Sequence, residues 1–172
     1  MWNRCIMIFT QFANIDKINE LRERYDPAVN SVAPHITLVF PFKSDICGSE
    51  IKKHIEKNIQ GMKPFNVNLQ GISAESENYL FLNVIQGKEE LTELHNRFYS
   101  DILEKFKPEF LETIEFKPHL TLGKIDDDGK FIQAVKDTKG FDEMFEMRVN
   151  KITVEIIGEN QESIIETEVK FK

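Results

Sequence analysis

The chain has 172 residues, 41% of them hydrophobic and 30% charged, with a formal net charge of −7 and a pI near 5.2. That balance fits one soluble globular domain and excludes membrane-spanning helices, since no apolar run approaches the ~20 residues a span requires. The acidic excess also argues against tracking long duplex nucleic acid, which needs a basic face, and favours a small or terminal phosphate as partner. Cys5 and Cys47 are the two cysteines, with no CxxC and no histidine at metal spacing. Reduced thiols in a cytoplasmic monomer are therefore expected. Residues 1–5 run straight into a strand-like stretch without signal-peptide features.

In chain order, residues 4–12 are apolar enough for a strand buried on both faces. Asn14 is a plausible N-cap for a helix striped by Ile15, Ile18, Leu21 and Tyr25, ending at Asp26-Pro27. A loop leads to a strand over about 35–42. Ser49 then caps a short helix with Ile51, Ile55 and Ile59 inward, closed by Gly61. Phe65, Val67 and Leu69 alternate as a strand, with a bulge or turn at Gly71. The pattern restarts with a strand over 79–85 and a long helix striped by Leu91, Leu94, Phe98, Ile102 and Phe106. A strand over about 118–125, a short helix around Phe131 and Val135, and strands near 145–157 and 164–171 complete the chain. The order strand, helix, strand, helix, strand thus occurs twice, over about 1–75 and 76–172. This reads as an internal duplication within one domain of α+β class, two lobes packed continuously with no linker.

The corresponding strands carry nearly the same residues. Pro34-His35-Ile36-Thr37-Leu38 recurs 84 positions later as Pro118-His119-Leu120-Thr121-Leu122. Side chains alternate across a strand, so His35 and Thr37 share one face and Ile36 and Leu38 the other; the second copy behaves alike. A lone histidine in a strand is usually packed or solvated, and one His-x-Thr-Leu is a weak signal. Two copies with the proline retained, at equivalent places of a duplication, are hard to attribute to packing.

Cleaving or making a phosphodiester requires a base, an acid and donors to the nonbridging oxygens. Imidazole, with an ordinary pKa of about 6.5, serves both proton-transfer roles near neutral pH. A threonine hydroxyl on the same face can donate to phosphate oxygens. If the two strands meet across a cleft, His35, Thr37, His119 and Thr121 form such a site without metal or cofactor.

With these two pentapeptides and the doubled element order, the chain resembles the two-histidine (2H) phosphoesterase superfamily, which includes bacterial 2′-5′ RNA ligase-like proteins and cyclic phosphodiesterases. The resemblance spans nearly the whole chain. It implies antiparallel sheets facing across a central cleft, with helices outside. It also implies His35 and His119 as the acid/base pair and Thr37 and Thr121 as phosphate donors. Lys124 stands where many relatives carry a basic residue, and Phe40 matches a frequent aromatic. Pro41-Phe42 departs from the common Leu-Gly. The expected substrate is a 2′,3′-cyclic or 2′-5′ phosphodiester at an RNA end or in a small nucleotide, by hydrolysis or ligation. Which histidine is the base stays open.

Phe40 and Tyr79 could stack on a base, although strand aromatics are usually core. Lys124 could screen phosphate charge or be solvated. His54 reads as exposed, His95 as a helix-face residue, and Arg22 and Arg24 as rim positions. Asp126-Asp127-Asp128-Gly129 fails a calcium-loop frame and reads as a turn. Two alternatives stand beside the enzyme. One is a non-catalytic module holding a nucleotide or RNA terminus in the same cleft. The other is a metallohydrolase, weakened because neither motif carries a carboxylate at ligand spacing.

Overall fold

The computed structural model describes all residues, Met1–Lys172. Eight strands and four helices make up the chain: β1 (Trp2–Phe9), α1 (Ile15–Tyr25), β2 (His35–Ser44), α2 (Gly48–Asn58), β3 (Phe65–Glu75) and β4 (Tyr79–Gln86) come first. They are followed by α3 (Lys88–Phe98), β5 (His119–Lys124), α4 (Asp128–Thr138), β6 (Phe145–Val149), β7 (Lys151–Ile157) and β8 (Ser163–Lys170). No helix is long and apolar enough to cross a membrane.

The expected α+β class holds, and the strands form one antiparallel sheet in the order β6-β3-β4-β5-β2-β1-β7-β8. Its two four-stranded halves meet where β5 pairs with β2, at Ile36 opposite Leu120. The halves draw strands from both ends of the chain. β3 lies between β4 and β6, and β7 pairs with β1. The helices cross over as well: α1, which follows β1, packs on β5, while α3, which follows β4, packs on β2.

These crossings bury one face of the central strands. Ile36, Leu38, Leu120 and Leu122 are all at 0% exposure within a single hydrophobic core that also takes Ile18 from α1 and Leu91, Leu94 and Phe98 from α3. Close packing of α1 on β5 depends on Gly123, where a Cβ would lie 2.3 Å from the Tyr25 carbonyl oxygen. The opposite face of β2 and β5 is left for the polar residues.

Several local expectations are corrected. The first strand ends at Phe9, not residue 12. Asn14 takes the N-cap position of α1 as expected, but its side chain makes no cap bond; its amide donates instead to Glu143 and to the Met144 carbonyl. Cys47, not Ser49, caps α2, and its N–H donates to the Glu50 carboxylate. The long helix stops at Phe98. There Ser100 Oγ donates to the Arg97 carbonyl at 2.7 Å, Asp101 takes a positive φ, and Ile102 and Phe106 continue in a 3-10 turn. The run 145–157 breaks at Asn150 into β6 and β7, which serve opposite halves of the sheet. His54 is buried, with Nε2 at 2.9 Å from the Phe98 carbonyl. Gly61 and Gly71 take positive φ, and the β3–β4 register shifts around Gly71 as a bulge requires.

Candidate active site

The antiparallel register at Ile36 and Leu120 decides the arrangement of the four motif side chains. Continued one residue each way, it sets His35 across from Thr121 and Thr37 across from His119, on the face away from the core. Side chains directly opposite lie ~4.5–5.5 Å apart at Cβ, and diagonal neighbours such as the two histidines ~7–8 Å. The imidazoles are near enough that charge on His35 opposes protonation of His119. All four side chains are half-buried, so they are held in place yet open to the cleft.

Both imidazoles are fixed in the same way. Nδ1 of His35 lies 2.9 Å from the carbonyl oxygen of Ala33, and Nδ1 of His119 lies 2.7 Å from that of Lys117. A carbonyl can only accept, so Nδ1 carries the proton and Nε2 is left to face a ligand. Each is also covered by a phenylalanine from the neighbouring strand. Phe9, paired with His35 in the β1–β2 register, meets it edge-on with centroids 6.2 Å apart. Phe81 on β4 stacks on His119 at 3.5 Å and 12°.

That cover sets the charge state. Desolvation is the first cause lowering both pKa values, and it takes His119 to about 4. The carbonyl bonds pull the other way, and Glu75 also favours charge on His119 while Lys117 opposes it. Glu75 accepts from Lys117 and from Ser73 at 2.6 Å, and it is itself held below the ordinary carboxylate range, chiefly by Lys117. Neutral imidazoles line the cleft, and an anion placed between them would favour protonation of one.

The other predicted site residues divide. Tyr79 pairs with Lys124 across β4 and β5, and the Lys124 ammonium sits 5.2 Å above the Tyr79 ring. Tyr79 in turn lies 5.7 Å from Phe81, giving an aromatic shelf that runs from the exposed Lys124 to His119. Phe40 is a correction. It follows Ile36 and Leu38 onto the core side, packs 5.2 Å from Phe110 and near Phe116 and His95, and takes no part in the cleft. His95 is buried as well, with Nδ1 at 2.7 Å from the Leu38 carbonyl. Arg22 is not a rim residue: at 2% exposure it pairs with Asp26 at 2.8 Å and donates to the Val32 carbonyl. It thereby ties down the loop that leads into His35.

Phe9, Phe81 and the Glu75–Lys117 pair escaped the sequence reading. Phe9 is paired with His35, whereas Phe81 is paired with Thr121 and reaches His119 diagonally, so these contacts appear only once the pairing register is known. No three His, Cys, Asp or Glu side chains converge as a metal-ion site.

Two Pro-His-x-Thr strands paired at the centre of one antiparallel sheet define a class, and the chain belongs to it. It is a member of the 2′-5′ RNA ligase superfamily, the two-histidine phosphoesterases, whose family model matches residues 10–161. Among its relatives is a Bacillus licheniformis protein named a presumed phosphoesterase, 33% identical over 127 residues and covering 72% of each chain. A Geobacillus kaustophilus protein of like name is 28% identical over 151 residues, 85% of this chain and 83% of its own. Among solved structures, Escherichia coli LigT complexed with 3′-AMP superimposes with a TM-score of 0.62 at 16% identity, over 99% of this chain and 98% of its own. At that identity the superposition shows the shared fold.

Proposed function

We propose that the chain is a metal-independent phosphoesterase that acts on 2′,3′-cyclic or 2′-5′ phosphodiesters of RNA ends or small nucleotides. The observation that carries this reading is the paired clamp: two imidazoles on adjacent antiparallel strands, each with Nδ1 spent on a carbonyl two residues back. Each Nε2 is thereby available to one phosphorus centre between them. In hydrolysis of a cyclic ester, water attacks phosphorus and one imidazole takes the proton the water sheds. The other protonates the departing O3′, leaving a 2′-phosphate and a free 3′-hydroxyl. Thr37 and Thr121, each opposite the other strand's histidine, donate to the nonbridging oxygens. The same sequence with a ribose 5′-hydroxyl in place of water would form a 2′-5′ linkage, and its reverse would cleave one back to the cyclic ester. The shelf of Tyr79 and Phe81 offers a stacking surface for one base, with Lys124 beside it for a neighbouring phosphate. Relatives named phosphoesterases and a neighbour crystallised with 3′-AMP or ATP agree with a small nucleotide as substrate.

The test is turnover of nucleoside 2′,3′-cyclic phosphates and 2′-5′ dinucleotides by EDTA-treated protein. His35→Ala and His119→Ala should each lower the rate by ~10²–10⁴-fold, the range for a positioned acid or base. Thr37→Ala and Thr121→Ala should cost less, ~10–10³-fold. A folded histidine variant with full activity would overturn the roles. Activity that returns only with a divalent cation would replace them by a metal mechanism, and tight nucleotide binding without turnover by a binding module.

A further inference from the structure

Beside His35 and Thr37 the cleft opens into a cavity of about 450 Å³, within the usual range for small-ligand sites. Its far wall is the loop over 27–32 and the β7–β8 turn with Asn160 and Gln161, and Glu155 of β7 lines it from the sheet. Glu155 is 3% exposed. A carboxyl so deeply placed is costly unless it is paired.

The other deeply buried charges in this chain are paired. Arg4, 1% exposed, makes a two-pronged bond to Glu166 at 2.7 Å each and a third bond to the Ile46 carbonyl. Arg22 has Asp26 and two backbone carbonyls. No lysine or arginine pairs with Glu155 or lines the cavity, and desolvation pushes its carboxyl pKa up against a smaller opposing pull from Ser163. A polar group left short of donors at the floor of an open cavity is matched to a donor brought by a ligand.

The position suits a nucleoside. Glu155 pairs with Cys5 on β1, and the Cys5 thiol donates to the Val39 carbonyl on β2. Two interstrand steps, roughly 9–10 Å, thus separate Glu155 from the strand of His35 and Thr37. That is the span of a nucleotide from its phosphate to the far edge of its base. A carboxylate accepts only, and guanine alone among the RNA bases presents two adjacent donors, N1–H and the N2 amine, on its pairing edge.

We infer that this cavity is a base-reading subsite, in which Glu155 accepts from the N1–H and N2 amine of a guanine whose phosphate lies between the two histidines. This rests on the phosphoesterase reading for the place of the phosphate. Binding is therefore measured apart from turnover.

Titration calorimetry with the 2′-monophosphates of guanosine, inosine, adenosine, cytidine and uridine tests it. The guanosine nucleotide should bind ~10–100-fold more tightly than the adenosine and uridine nucleotides, the discrimination typical of a two-pronged contact. Inosine, which lacks the N2 amine, should fall between them. Glu155→Gln should remove the guanosine advantage and leave uridine binding within ~2-fold. Equal affinities for all bases in the unmodified protein would overturn the assignment without any variant. So would a Glu155→Gln protein that loses affinity equally for every nucleotide. Guanosine selectivity in a protein that turns over no cyclic phosphate would uphold the subsite and discard the phosphoesterase.

Discussion

Replacing Phe81 by alanine should raise the protonation midpoint of His119 by about one pH unit. The His119 pKa stands at about 4, roughly 2.5 below the ordinary value of about 6.5, and burial is the first cause. Phe81 covers one face of the imidazole at 3.5 Å and near-parallel, so its removal lets water reach that face alone. The other face, the Lys117 ammonium and the His35 ring stay, which is why less than half of the gap should return. The carbonyl bond from Lys117 is untouched, so the tautomer should not change. A proton-carbon NMR titration of the imidazole signals, with His119→Gln to assign the peak, reads the midpoint directly. Phe81→Leu keeps an apolar cover and should move it by a few tenths at most. In the phosphoesterase assay the limb of the pH–rate curve due to His119 should move upward with the NMR midpoint. A midpoint that stays near 4 in the alanine variant would refute the claim that aromatic cover sets the charge of this ring.

The remaining expectations concern stability. His35, His95 and His119 are all held below the ordinary value, the last two at about 4, so the unfolded chain takes up protons first as pH falls. Stability should be full above about pH 6.5 and decline toward pH 4, with urea midpoints reading the loss; a flat profile over that window would contradict the burial of these rings. Gly123→Ala should cost ~1–3 kcal/mol, since its Cβ would meet the Tyr25 backbone and push α1 off β5. Unchanged thermal unfolding would exclude that close approach. Arg22→Met should cost ~3–5 kcal/mol by leaving Asp26 buried without its partner, and should loosen the loop over 27–33. Limited proteolysis of that loop no faster than in the parent would argue against the tie.

The alternation rule placed His35, Thr37, His119 and Thr121 opposite their apolar neighbours before any coordinates, because a strand has only two faces. The same rule bears on Phe40, which shares the parity of Ile36 and Leu38 and packs against Phe110, Phe116 and His95. The long helix could not be ended by its stripe, since Ile102 and Phe106 still pack on the core after the backbone has turned at Ser100 and Asp101. Likewise, residues 145–157 read as strand without a clear break, and only the sheet order reveals that the two parts on either side of Asn150 go to opposite halves. Glu155 carried no signal in the sequence, since a glutamate in a strand is ordinarily solvated. Its meaning depended on the cavity beneath it, which is a property of β1, β7 and two loops together.

The retained proline follows from the clamp. The residue before a proline is confined to extended backbone, and the proline's own φ is fixed. Ala33 and Lys117 occupy that place, and their carbonyls are the ones that accept from the histidine two positions on. Pro-His is thus a local device that orients an imidazole with Nε2 outward, using only three consecutive residues. What the tertiary structure adds is direction. Were β2 and β5 parallel, histidine would sit beside histidine and threonine beside threonine, leaving both bases at one end of the site. Antiparallel pairing about Ile36 and Leu120 instead sets each imidazole opposite a hydroxyl. A phosphorus between the strands then meets an acid/base group and an oxygen donor from both sides, and either imidazole can begin the proton transfer that the other completes.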